Sequence, residues 1–128
     1  MSYYFSKIIE SDFDSAIEKA TQALSEEGFG VLTEINVAET FHKKLSVEFR
    51  KYKILGACNP QYAYKAISAE DKIGTMLPCN VIVQEIGPNK IEIAAVDPIA
   101  SMQAVGAPEL GPIAEEVQYK LKKVINSL

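Results

Sequence analysis

The chain has 128 residues, 48% of them hydrophobic and 23% charged, with a mean hydropathy of +0.01, a profile that excludes disordered, collagen-like and fibrous classes. Thirteen Lys and Arg against 17 Asp and Glu give a formal charge of −4, which argues against a broad nucleic-acid or anionic-membrane surface. Two Cys, one His and no Trp leave little for metal chemistry, so neither a metal nor a cofactor is expected.

At this length folding buries roughly two-thirds of the unfolded chain's surface, enough for a self-sufficient core. No linker or repeat divides the sequence, so one domain over residues 1–128 is expected. Tyr3–Ile9 is aromatic and β-branched and reads as a first strand. Ser11 followed by Asp14 is a capping-box-like start. Phe13, Ala16, Ile17, Ala20 and Leu24 then recur at helical spacing until Gly28 stops the helix.

Gly30–Asn36 alternates as a second strand, and a short helix over Ala38–Leu45 follows. Tyr52–Asn59 is a third strand. Asn59-Pro60 then starts a helix to about Ser68, because Asn can cap free N–H groups and Pro loses nothing at the first helical position. Ser68 with Asp71 suggests one more helical turn before Gly74. Cys79–Ile86 and Ile91–Val96 flank Gly87-Pro88-Asn89-Lys90 and form a hairpin, and Asp97-Pro98 ends the fifth strand. Leu110, Ile113, Ala114, Val117, Leu121, Val124 and Ile125 mark a long final helix with Glu115-Glu116 early and Lys120, Lys122 and Lys123 late, as the helix dipole favours. The order fits an α+β fold: one mostly antiparallel sheet of about five strands, covered on one face by the two long helices.

The longest apolar run, about five residues around Ile54–Cys58, is far short of the ~18 that span a bilayer. No membrane is expected as a partner. Met1-Ser2-Tyr3-Tyr4 has no basic start followed by an apolar stretch, so a cytoplasmic location with reduced thiols is expected.

There is no Gly-rich phosphate loop, no G-x-S-x-G, no H-E-x-x-H and no C-x-x-C. His42, the single histidine, sits beside Lys43 and Lys44 and reads as a surface residue. Glu34, Glu85 and Glu92 read as edge or solvent-face carboxylates, and Glu26-Glu27 and Glu115-Glu116 as solvated helix faces. Lys43, Lys44, Arg50, Lys51 and Lys53 form a local basic patch, while Tyr62 and Tyr64 belong to a pocket wall or to the core.

The informative feature is a pair of similar segments, Gly56-Ala57-Cys58-Asn59-Pro60 and Leu77-Pro78-Cys79-Asn80, each joining Cys, Asn and Pro at a strand terminus. A thiol just before a helix N-terminus ionises more easily, which marks Cys58 as a candidate nucleophile. If the third and fourth strands are antiparallel neighbours, both thiols reach the same rim, their Cα atoms within ~12 Å. If the strands are parallel, the thiols sit at opposite ends. The bland alternative is two cysteines serving as small core hydrophobes.

These segments, with Gly28-Phe29-Gly30-Val31-Leu32-Thr33-Glu34-Ile35, Phe49–Pro60, Leu77–Val83 and Ala95-Val96-Asp97-Pro98, closely resemble the domain of unknown function 302 family across almost the whole chain. The resemblance implies a fold like that of the TATA-binding protein, one sheet with two long helices against it, and often a homodimer. It does not imply nucleic-acid binding, since fold is not function. It supports a site at Cys58, Asn59, Pro60, Cys79 and Asn80. Three readings follow: a small cytoplasmic module holding a small ligand or sulfur species near Cys58 and Cys79, a thiol-dependent redox or sulfur-transfer enzyme with Cys58 as nucleophile, and a purely structural homodimer.

Overall fold

The computed structural model describes residues 2–128. Five strands, β1 (Tyr4–Glu10), β2 (Gly30–Asn36), β3 (Tyr52–Cys58), β4 (Cys79–Gly87) and β5 (Lys90–Val96), form one sheet in the order β1-β5-β4-β3-β2. All four pairings are antiparallel. The helices are α1 (Phe13–Glu26), α2 (Val37–Leu45), α3 (Pro60–Ala69), α4 (Pro98–Met102) and α5 (Leu110–Asn126), with a 3-10 turn at Asp71–Met76 after α3 and another at Gln103–Val105 after α4.

Alternation along the central strands separates two faces. Leu55 and Ala57, Cys79, Val81 and Val83, and Ile91, Ile93 and Ala95 point at the helices and are buried. Phe13, Ala16, Ala20 and Leu24 of α1 and Val117, Leu121, Val124 and Ile125 of α5 close over them. Each fully buried Leu, Ile or Val there contributes about 1.5–3 kcal/mol relative to an exposed one, so this layer is what fixes the strand register. The opposite face carries no long helix: Tyr4, Ser6 and Ile8, then Glu92 and Ala94, Ile82 and Gln84, and Tyr52 and Ile54 line up across β1, β5, β4 and β3.

The ends of α1 follow local chemistry. Asp12, not Ser11, caps it, its carboxylate accepting from the Ser15 N–H at 2.8 Å. Asp supplies a charged acceptor at the dipole's positive end, while the Ser11 hydroxyl donates instead to the Asp12 carbonyl. At the other end Gly28 takes φ +87°. The Gly28 N–H bonds to the Ser25 carbonyl and the Phe29 N–H to the Leu24 carbonyl, a Schellman arrangement that turns the chain into β2. The Asn36 side chain caps α2 by accepting from the Glu39 N–H.

Two further expectations need correction. The turn at Asp71–Met76 has no side-chain cap, so Ser68 does not start it, and it runs past Gly74. Asp97-Pro98 ends β5 and also starts α4, a helix that no apolar periodicity marks: the Asp97 carboxylate accepts from the Ile99 N–H at 2.9 Å and from Gln118 Nε2 of α5 at 3.1 Å. No helix among the described residues is long and apolar enough to cross a membrane.

Candidate functional site

The Cys58-Asn59-Pro60 and Pro78-Cys79-Asn80 segments meet. β3 runs antiparallel beside β4 with Ala57 opposite Cys79 and Gly56 opposite Asn80. One cross-strand step plus one step along the chain puts the Cys58 and Cys79 Cα atoms within about 9 Å. Both are free thiols.

Gly56 makes the junction possible. A Cβ at that position would lie 2.1 Å from Thr33 Oγ1 and 2.8 Å from Pro78 Cγ, so only a bare backbone lets β2 and the Leu77-Pro78 segment close over β3. The peptide bond between Leu77 and Pro78 is cis.

Asn59 occupies the N-cap position of α3 but makes no side-chain capping bond, contrary to expectation. Its Nδ2 instead donates to the Glu27 carbonyl at 3.2 Å. The α3 start is held by the backbone: the Asn59 carbonyl accepts from the N–H groups of both Tyr62 and Ala63, and Pro60 occupies the first position, where no donor is lost.

Between this rim and the helices lies a cavity of about 310 Å³. Its walls are Phe29, Leu32 and Thr33 from the α1–β2 corner, Ala57 and Cys58 from β3, Asn59 from the β3–α3 junction, and Tyr62, Ala63, Ala66 and Ile67 from α3. Gly74, Leu77, Pro78 and Cys79, then Met102, Ile113 and Val117, complete it. No Asp, Glu, Lys, Arg or His lines it. Three of the five residues singled out in sequence, Cys58, Asn59 and Cys79, are therefore brought together in one cavity. Pro60 is exposed and does not line it. Asn80 does not either: strand alternation turns it to the opposite face, beside Tyr52, Gln84 and Glu92.

The two thiols differ. Cys79 is 8% exposed, and burial, reinforced by the neighbouring Cys58, pushes its thiol up to about 11, so it keeps its proton at neutral pH. Cys58 is half-buried. The Tyr62 phenol is raised above its ordinary value, first by hydrogen bonding with Glu116 and then by desolvation.

The other charged candidates lie elsewhere. His42 Nδ1 is 3.0 Å from Glu48 Oε1 on the surface. Lys43 pairs with Glu39 at 2.8 Å, and Lys53 Nζ lies 3.9 Å from Glu34. Arg50 Nε donates to Gln84 Oε1 at 2.8 Å, and Gln84 Nε2 donates to Glu92 at 2.8 Å, a chain across the open sheet face. Three of the five cations in the basic patch, Lys43, Arg50 and Lys53, thus have protein partners. Among the described residues no group of three or more His, Cys, Asp or Glu could hold a metal ion.

Phe29, Leu32, Met102, Ile113 and Val117 were not singled out as site residues. Ile113 and Val117 carry only the helical periodicity that also marks core, and Met102 belongs to the unassigned α4. No local signal distinguishes such walls from ordinary core.

Comparisons with known proteins bear on the family and the fold. The family model described as "Domain of unknown function DUF302" matches residues 5–128. Among solved structures, the chain is similar to an uncharacterized conserved protein DUF302 from Bacillus stearothermophilus, with 25% identity over 98% of each chain and a TM-score of 0.90. No curated protein matches.

Proposed function

Because the chain belongs to the DUF302 family, whose description names no activity, we propose from the site's own chemistry that it is a small binding module without turnover, holding a small ligand in the cavity beside Cys58 and Cys79. One observation carries the reading: a 310 Å³ cavity at the low end of the ~300–1,000 Å³ typical of ligand sites, built where the Cys58-Asn59-Pro60 and Pro78-Cys79-Asn80 segments meet. The enzymatic alternative has less support. A thiol nucleophile is ionised by a base, a nearby cation or a helix N-terminus; Cys58 has only the last, the start of α3 at Pro60, and no cationic or basic side chain lines the cavity. The whole chain acts as one domain in a reducing cytoplasm, where both cysteines stay thiols.

Intact mass spectrometry of protein purified from the cells that make it tests the proposal. The expected result is an extra mass under native conditions that is lost on denaturation. A mass that survives denaturation and maps to Cys58, such as a persulfide, favours the sulfur-transfer enzyme instead.

We also propose that two copies associate through the open face of the sheet. Tyr3, Tyr4, Ile8 and Ile35 are exposed there, and a two-fold pairing is the commonest way for a small domain to cover such a face.

A further inference from the structure

We infer that the cavity beside Cys58 takes an uncharged, largely apolar molecule with one hydrogen-bonding end, and that Met102 limits that molecule's length. This rests on the binding reading above and narrows it to a ligand class.

The lining decides against charge. An ion placed there would leave water without a charged partner, which is far more costly than burying a neutral group. Cys79 adds no charge, because burial keeps its thiol protonated. A sulfur anion is therefore a poor occupant, whereas aliphatic or aromatic surface finds matching walls in Phe29, Leu77, Ile113 and Val117.

Only three lining side chains carry oxygen or nitrogen, Thr33, Asn59 and Tyr62; with the Asn59 amide nitrogen held by the Glu27 carbonyl and the Tyr62 phenol bonded with Glu116, what is left can orient one polar end and no more. In size, 310 Å³ is about twice the ~150 Å³ apolar cavity that admits benzene, so the occupant is a medium-length alkyl or a two-ring body.

Met102 sets the far limit. It lines this cavity and also a second hollow of about 320 Å³ bounded by Ile99, Ala107, Leu110 and Ala114. A methionine has three rotatable bonds and fills irregular gaps, so it stands as the removable partition between the two spaces.

The test is calorimetric titration of the full chain with straight-chain primary alcohols from butanol to octanol and with the carboxylates of equal length, at neutral pH. The alcohols are expected to bind, gaining about fourfold per methylene until the cavity is full. Each carboxylate should bind at least tenfold more weakly than its alcohol. Ala63→Leu, which fills the cavity from α3, should weaken every alcohol, and Met102→Ala should move the plateau to a longer chain, with circular dichroism confirming that both variants fold.

Carboxylates binding as tightly as alcohols would overturn the ligand class while leaving the binding module standing. Alcohol affinities unchanged by Ala63→Leu would place the binding outside this cavity and overturn the inference. An unmoved plateau in Met102→Ala would remove the length limit. Binding of neither series would bring down the binding module itself.

Discussion

Asn59 at the start of α3 donates its side-chain amide to the carbonyl of Glu27 at the close of α1, 3.2 Å away across 32 positions. The bond pins the cavity's rim to the corner that turns α1 into β2. Gly28 lies directly beneath it: a Cβ there would be 3.1 Å from Asn59 Nδ2, at a backbone φ of +87°. Gly28→Ala is therefore expected to lower stability by about 1–3 kcal/mol, from the left-handed backbone and the crowding together. Asn59→Ala should cost about 1 kcal/mol. Urea unfolding midpoints of the two variants check both values.

Gly56→Ala should be among the most damaging single-methyl changes in the chain. Overpacking costs typically about 1–3 kcal/mol, and here the new methyl meets Thr33 Oγ1 at 2.1 Å and Pro78 Cγ at 2.8 Å. Removing the hydroxyl in Gly56→Ala/Thr33→Ala should recover part of the loss. Full additivity of the two changes, measured by a double-mutant cycle, would show that the contact is not what forbids a side chain.

The thiols should separate kinetically. With Cys79 raised to about 11, iodoacetamide at neutral pH is expected to label Cys58 first, and Cys79 labelling should rise about tenfold per pH unit in alkali. Peptide mapping after timed quenching reads both rates. In packing, Cys58→Ser should stay within about 0.5 kcal/mol of wild type, whereas Cys79→Ser should cost about 1–3 kcal/mol by burying a hydroxyl.

Cys79 also imposes a pH dependence. Its folded-state value of about 11 stands above the ordinary 9.0, so above pH 9 the unfolded chain releases a proton that the folded chain retains. The associated stability is complete below about pH 9 and is lost as pH rises towards 11, on the order of 2 kcal/mol. Subtracting the alkaline stability profile of Cys79→Ala isolates this contribution from the lysines and tyrosines. Parallel profiles would refute it.

Association through the sheet face predicts a light-scattering mass of twice 14.1 kDa at tens of micromolar. Ile8→Lys, at a residue 57% exposed, should return the protein to monomer without loss of thermal stability.

The sequence made the five strands, the hairpin and the two covering helices legible, because periodicity of apolar residues reports which face is buried. The same cue could not place α4. Asp97-Pro98 is the same kind of residue pair as Asn59-Pro60, and Asp97 caps with its side chain where Asn59 does not, but without a long amphipathic run after it the pair reads only as a strand's end. Cys79 and Asn80 were grouped as neighbours in sequence, yet a strand sends adjacent side chains to opposite faces. Asn59 read as a cap because its competing acceptor, the Glu27 carbonyl, lies 32 positions away, and one-dimensional patterns carry no such contact.

The cavity's walls come from Phe29 through Val117, and this has a consequence during synthesis. No shorter piece of the chain encloses the space. A nascent chain lacking α5 has no floor at Ile113 and Val117, so a ligand of the proposed kind would find no closed site until α5 has been made and packed. An occupant that binds only the closed form would favour α5 in its packed place by mass action, contributing about 2.7 kcal/mol at a hundredfold excess over its dissociation constant.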